Sequence, residues 1–137
     1  MRTLILTLLI SLGLSSPVQA KEVVFDATPL TRVTSSAHLT KRETLSQSER
    51  KEHRVLIEKR GNSYFWANRK SLPLKYEVSG SYHLFIDTKS GSYIKICDSE
   101  LLPGYIKEPG PRYKYKEHIT IRMDSITYWG AVEKFEP

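Results

Sequence analysis

The side chains with chemistry to offer are one cysteine, four histidines and an interleaving of cations with aromatic rings. Cys97 with His83 or His118 has the residue types of a thiolate and imidazole pair, and Glu100 or Glu117 could orient the imidazole. A hydrolase using Cys97 and a histidine is therefore the enzyme reading. Two features argue against it. The flanking run KICDSE lacks the glycine-bracketed turn or helix start that presents a nucleophile, and the strand neighbours Glu117 and His118 point to opposite faces. No catalytic residue is assigned. His38, His53, His83 and His118 are too widely spaced for a zinc couple, with His83 and His118 able to meet only across paired strands. No metal ligand and no cofactor is expected.

The stronger pattern is electrostatic. Arg112, Tyr113, Lys114, Tyr115 and Lys116 alternate base and ring, so an extended strand would place the three cations on one face and the two tyrosines on the other. Lys59, Arg60, Arg69 and Lys70 flank a turn and Trp66. Cations beside stacking rings suit polyanions. The competing explanation is that lysines on strand edges block sheet association while the tyrosines pack inward. The candidate ligand-binding set is Lys59, Arg60, Trp66, Arg69, Lys70, Arg112, Lys114 and Lys116. An exposed Trp66 or Trp129 would mark a stacking platform.

The elements that must hold these groups read as strands. Val55 to Lys59 and Tyr64 to Ala67 form a hairpin about Gly61-Asn62, residue types that tolerate positive φ. Val55, Ile57 and Lys59 share one face, and Tyr64 and Trp66 share a face of the return strand. Tyr82 to Asp87 and Ser92 to Cys97 make a second hairpin, and Tyr76 to Val78 a brief strand before it. Glu117 to Met123 alternates strictly, which predicts a buried face of Ile119, Ile121 and Met123 and a turn at Asp124-Ser125. Ile126 to Trp129 should end at Gly130, with Val132 and Phe135 docking the tail. Near the start, Val23 to Phe25 should be a short strand ended by Asp26 and Pro29, and Leu30 to Val33 a weaker one. Thr34 to His53 is polar. Thr40 with Glu43 and Ser46 with Glu49 fit helix-capping spacing, so a short exposed helix and a mobile loop are both open there. The prolines and glycines of Asp98 to Pro111 predict a stiffened loop.

Residues 1–20 have the layout of a secretory leader: Arg2, an apolar run from Leu4 to Leu14, then Val18-Gln19-Ala20. The run is too short to span a bilayer comfortably, and no membrane span is expected after cleavage. Losing Arg2 with the leader lowers the net charge from +6 to +5. With a lone cysteine the exported chain has no internal disulfide, so packing must stabilise it. The expected organisation is a leader over 1–20, an N-terminal strand with a polar segment, helical or mobile, over 21–53, and an antiparallel β domain over 54–137. The fold class is mainly β, a small antiparallel sheet closed as a barrel or sandwich, with at most one short helix.

The phrases FWANR at 65–69 and ITYWG at 126–130 resemble those of small exported bacterial proteins of unassigned function, a likeness that implies no activity and no site residue. The functional expectation is a periplasmic or secreted, non-catalytic binding module for an anionic envelope component or an acidic protein. An inhibitor or immunity-type partner is the further alternative. Export argues against nucleic acid as the target.

Overall fold

A computed structural model describes residues 20–101 and 110–137. The expected leader lies almost wholly outside the described residues, as does most of the proline-rich loop.

Nine strands and one short helix follow in order: β1 (Lys21–Ser35), β2 (Thr40–Thr44), α1 (Gln47–Glu52), β3 (Val55–Arg60), β4 (Ser63–Trp66), β5 (Leu72–Ser79), β6 (Tyr82–Ile86), β7 (Tyr93–Asp98), β8 (Tyr113–Ile121) and β9 (Asp124–Phe135). From β3 to β9 each strand pairs antiparallel with the next, and β1 pairs with both β3 and β9. The result is an eight-stranded antiparallel barrel. β2 is a short extension on the far half of β1. No helix among the described residues is long and apolar enough to cross a membrane.

Alternation builds the interior. Ile57, Trp66, Phe85, Ile94, Ile96, Tyr115 and Phe135 point inward from six strands around Phe25. Phe25 meets Tyr115 and Phe135 edge to face, at ring separations of 5.8 and 6.1 Å. Eight strands enclose a space just wide enough for side chains to fill, which is why large rings suffice without a disulfide.

Several expectations need correction. β1 does not end at Asp26 or Pro29: it runs through both, with bulges absorbing the irregularity and the donor that proline lacks. Pro29 is fully buried in register with Gly130, and β9 likewise continues through Gly130. A β-carbon at position 130 would lie 2.0 Å from the Thr28 carbonyl oxygen, so the barrel closes where two backbones touch. The β8–β9 turn is Arg122-Met123, two residues earlier than Asp124-Ser125, and Ile121 and Met123 are exposed beyond the barrel rim. Residue 53 is no structural boundary, since β1 is a full stave of the barrel. Ser46 and Glu49 form the reciprocal cap of α1, whereas Thr40 and Glu43 lie on β2. Arg32 ties the excursion down through Glu43 at 2.9 Å and Glu49 at 3.3 Å. Of the loop after β7, Ser99–Leu101 form a single 3₁₀ turn.

Candidate binding surface

The candidate residues fall into separate places. At one end of β3, the Lys59 ammonium sits 5.5 Å from the Tyr64 ring, while Arg60 is held by Glu58 at 3.0 Å and lies over Phe65. Arg112 is locked to the buried Asp98 through Nε and Nη2 at 3.1 and 3.0 Å. That pairing holds the Asp98 carboxyl below its usual range. Trp66 is inside the barrel, with the Arg69 guanidinium 4.4 Å from its ring; Lys70 is exposed in the β4–β5 turn. Lys114 and Lys116 alone share a surface, the outer wall of β8. There Lys114 and Lys116 face out and Tyr115 faces in, as alternation requires.

Register then assembles a larger patch. Lys116 stands opposite Lys95 on β7 and Trp129 on β9, and Lys114 opposite Cys97 and Ala131. The Lys95 ammonium lies 3.9 Å from the Tyr82 ring, and that of Lys116 lies 5.8 Å from Trp129 and 6.0 Å from Tyr93. Among the described residues no carboxylate pairs with Lys95 or Lys116. A depression of about 290 Å³ runs among Tyr82, Lys95, Cys97, Lys116 and Trp129. A neighbouring one of about 300 Å³ lies between Leu30, Pro111, Trp129 and Ala131. Trp129 is 41% exposed where the two meet.

A different arrangement occupies the barrel end beside α1. A cavity of about 110 Å³ is lined there by His53, Trp66, Arg69, Glu117 and Tyr128, among others. Glu117 points inward from β8 and is 4% exposed. Its carboxyl makes no hydrogen bond or ion pair among the described residues. Burial raises its carboxyl to about 7, against a partial opposing pull from Arg69.

No family model, curated protein or solved structure matches this chain. Function must therefore be argued from the geometry.

The thiol and imidazole readings fare poorly on distance and facing. Cys97 is half-buried on the outer wall, whereas His83 points inward, its Nδ1 2.7 Å from the Tyr76 hydroxyl and its ring against Phe135. His118 does face outward, stacked on Tyr93 and 3.0 Å from Thr127 Oγ1. Its register partner is Tyr93, however, four residues along β7 from Cys97, a separation of about 13 Å. His83 and His118 are separated by β7 and face opposite ways. Among the described residues no three potential metal ligands cluster.

Sequence reasoning missed Lys95, Tyr82 and Glu117 as site residues. Lys95 shares its strand face with Tyr93 and Cys97, and Glu117 shares the inward face of β8 with Tyr115. Both signals lay in the alternation; what was lacking was the register that brings Lys95 opposite Lys116.

Proposed function

We propose that this protein is an exported, non-catalytic binding module whose outer wall across β7, β8 and β9 takes an anionic polymer of the cell envelope. The observation that carries the reading is Lys95 directly opposite Lys116 with no acidic partner for either among the described residues. Like charges at opposed positions of a sheet destabilise it by roughly 0.2–1 kcal/mol. An anion laid across the pair would remove that repulsion. Tyr82, Tyr93 and Trp129 beside the ammonium groups offer faces on which sugar rings stack, while the lysines meet carboxylate, phosphate or sulfate groups. The export part of the proposal rests on the leader-like layout of residues 1–20.

An acidic protein is the second reading, favoured by one observation. Leu30 and Trp129, 39% and 41% exposed, border an apolar depression next to the lysines, a combination that suits a protein rim and anchor.

Chromatography on heparin at physiological salt tests the main reading. Retention that falls with salt and is lost in the Lys95→Gln/Lys116→Gln double variant is expected. No retention of the unsubstituted protein overturns it, and unchanged retention of the double variant moves the site elsewhere. A processed N-terminus at Lys21 in the envelope fraction is the expected result for export.

A further inference from the structure

The cavity beside α1 is lined by the side chains of Glu117 and Arg69, neither of which has a hydrogen-bond or ion-pair partner among the described residues. Glu117 lines it, 4% exposed, its carboxyl making no hydrogen bond or ion pair among the described residues. Removing a carboxylate from water is strongly unfavourable unless a cation or donors replace the lost hydration. Arg69, lining the same cavity, rests on the Trp66 ring with no carboxylate partner among the described residues.

Of the other polar groups around the cavity, Glu52 is exposed to solvent and several of the rest are already engaged. Arg54 is paired with Asp26, and the Asn68 side chain accepts from the Leu56 amide and donates to the Arg54 carbonyl. The His53 ring lies against Tyr128, 5.1 Å between centroids. Arg69 is presented by a tight connection in which Lys70 and Ser71 both adopt left-handed backbone, φ 51° each, a conformation unfavourable for residues with a β-carbon.

We propose that this cavity binds a small zwitterion of the free amino acid class, its ammonium on the Glu117 carboxylate and its carboxylate on the Arg69 guanidinium. Arg54 being paired with Asp26 and Glu52 exposed to solvent, Glu117 and Arg69 remain as one group of each sign, and the ligand supplies the complement of each. Its volume of about 110 Å³ gives room for a compact molecule and too little for a polymer. Trp66 and Tyr128 leave apolar wall for a small side chain. This site is distinct from the outer wall, since Glu117 faces inward from the strand whose Lys114 and Lys116 face out.

The test is a titration of the isotopically labelled protein near neutral pH with alanine, ethylamine and acetate, followed by the Trp66 indole resonance. Saturable binding of alanine is expected, with ethylamine and acetate each weaker by about tenfold or more, the size of a lost charge-assisted hydrogen bond. Glu117→Gln and Arg69→Gln should each weaken alanine by a similar factor. The Glu117 side-chain carboxyl resonance of the unsubstituted protein should also move on alanine addition, a readout that needs no variant to fold. Absence of saturation by alanine overturns the site, and ethylamine binding as tightly as alanine overturns the role given to Arg69.

Discussion

At the barrel end formed by the starts of β4 and β8, rings close the interior: Tyr64 on Tyr76, His83 on Phe135 and Tyr113 on Phe135, all between 4.8 and 5.1 Å. The polar contact among them, Tyr76 to His83 at 2.7 Å, is satisfied. The end beside α1 contains fewer rings, and there the Glu117 carboxyl faces a cavity with no hydrogen-bond or ion-pair partner among the described residues. One strand supplies both finishes, Tyr113 and Tyr115 toward the first end and Glu117 toward the second. The difference shows where packing governs and where it yields. Rings pack the interior toward the first end even at the cost of a buried Tyr115 hydroxyl without a partner, and a glutamate in the same row faces a cavity.

Breaking the ring-packed end should give the largest effect. Phe85, fully buried against Phe25, Tyr64 and Tyr76, should cost about 3–5 kcal/mol on substitution to alanine, read by denaturant unfolding. A loss under about 1 kcal/mol would mean that this end does not hold the fold.

The α1 end should respond with the opposite sign. A carboxyl raised to about 7 when folded, against 4.5 when unfolded, leaves stability fully present below 4.5 and loses it as pH rises through 7. Glu117→Gln removes that loss. It should therefore match the parent protein near pH 4 and exceed it by about 3 kcal/mol above pH 8, from the linkage of proton binding to folding. A stability difference that does not change with pH would contradict the assignment.

Smaller effects sharpen the contrast. Tyr76→Phe deletes the contact to His83 and should cost about 1 kcal/mol by thermal or denaturant unfolding, the worth of an ordinary hydrogen bond. Lys95→Gln with Lys116→Gln should change stability by about 0.5 kcal/mol or less, as a gain from relieved repulsion. A clear loss instead would identify these lysines as structural.

Much of the architecture was legible because strands alternate with a period of two. The β3–β4 hairpin turns at Gly61, φ 60°, as its residue types indicate, and Tyr115 with Lys114 and Lys116 divide between the faces of β8 as expected. Pro29 and Gly130 misled because each is a strand breaker taken alone; opposed across the closing seam, they permit the close approach that seals the barrel. Ile121 and Met123 kept the apolar rhythm past the rim, where no neighbour covers them among the described residues. The patch on the outer wall was half legible. Lys114 and Lys116 follow from their own strand, whereas their juxtaposition with Lys95 and Trp129 depends on registers between strands that no local pattern encodes. For Glu117 the sequence gives the face without the cavity in front of it.

The most direct test of the contrast between the two ends is the pH titration of the Glu117 side-chain carboxyl carbon by NMR in the ligand-free protein. A midpoint at about 7 is predicted for a carboxyl facing the cavity without a partner. A midpoint in the ordinary range near 4.5 would show the group hydrated or paired, and the cavity would then have no unmet charge to offer a ligand.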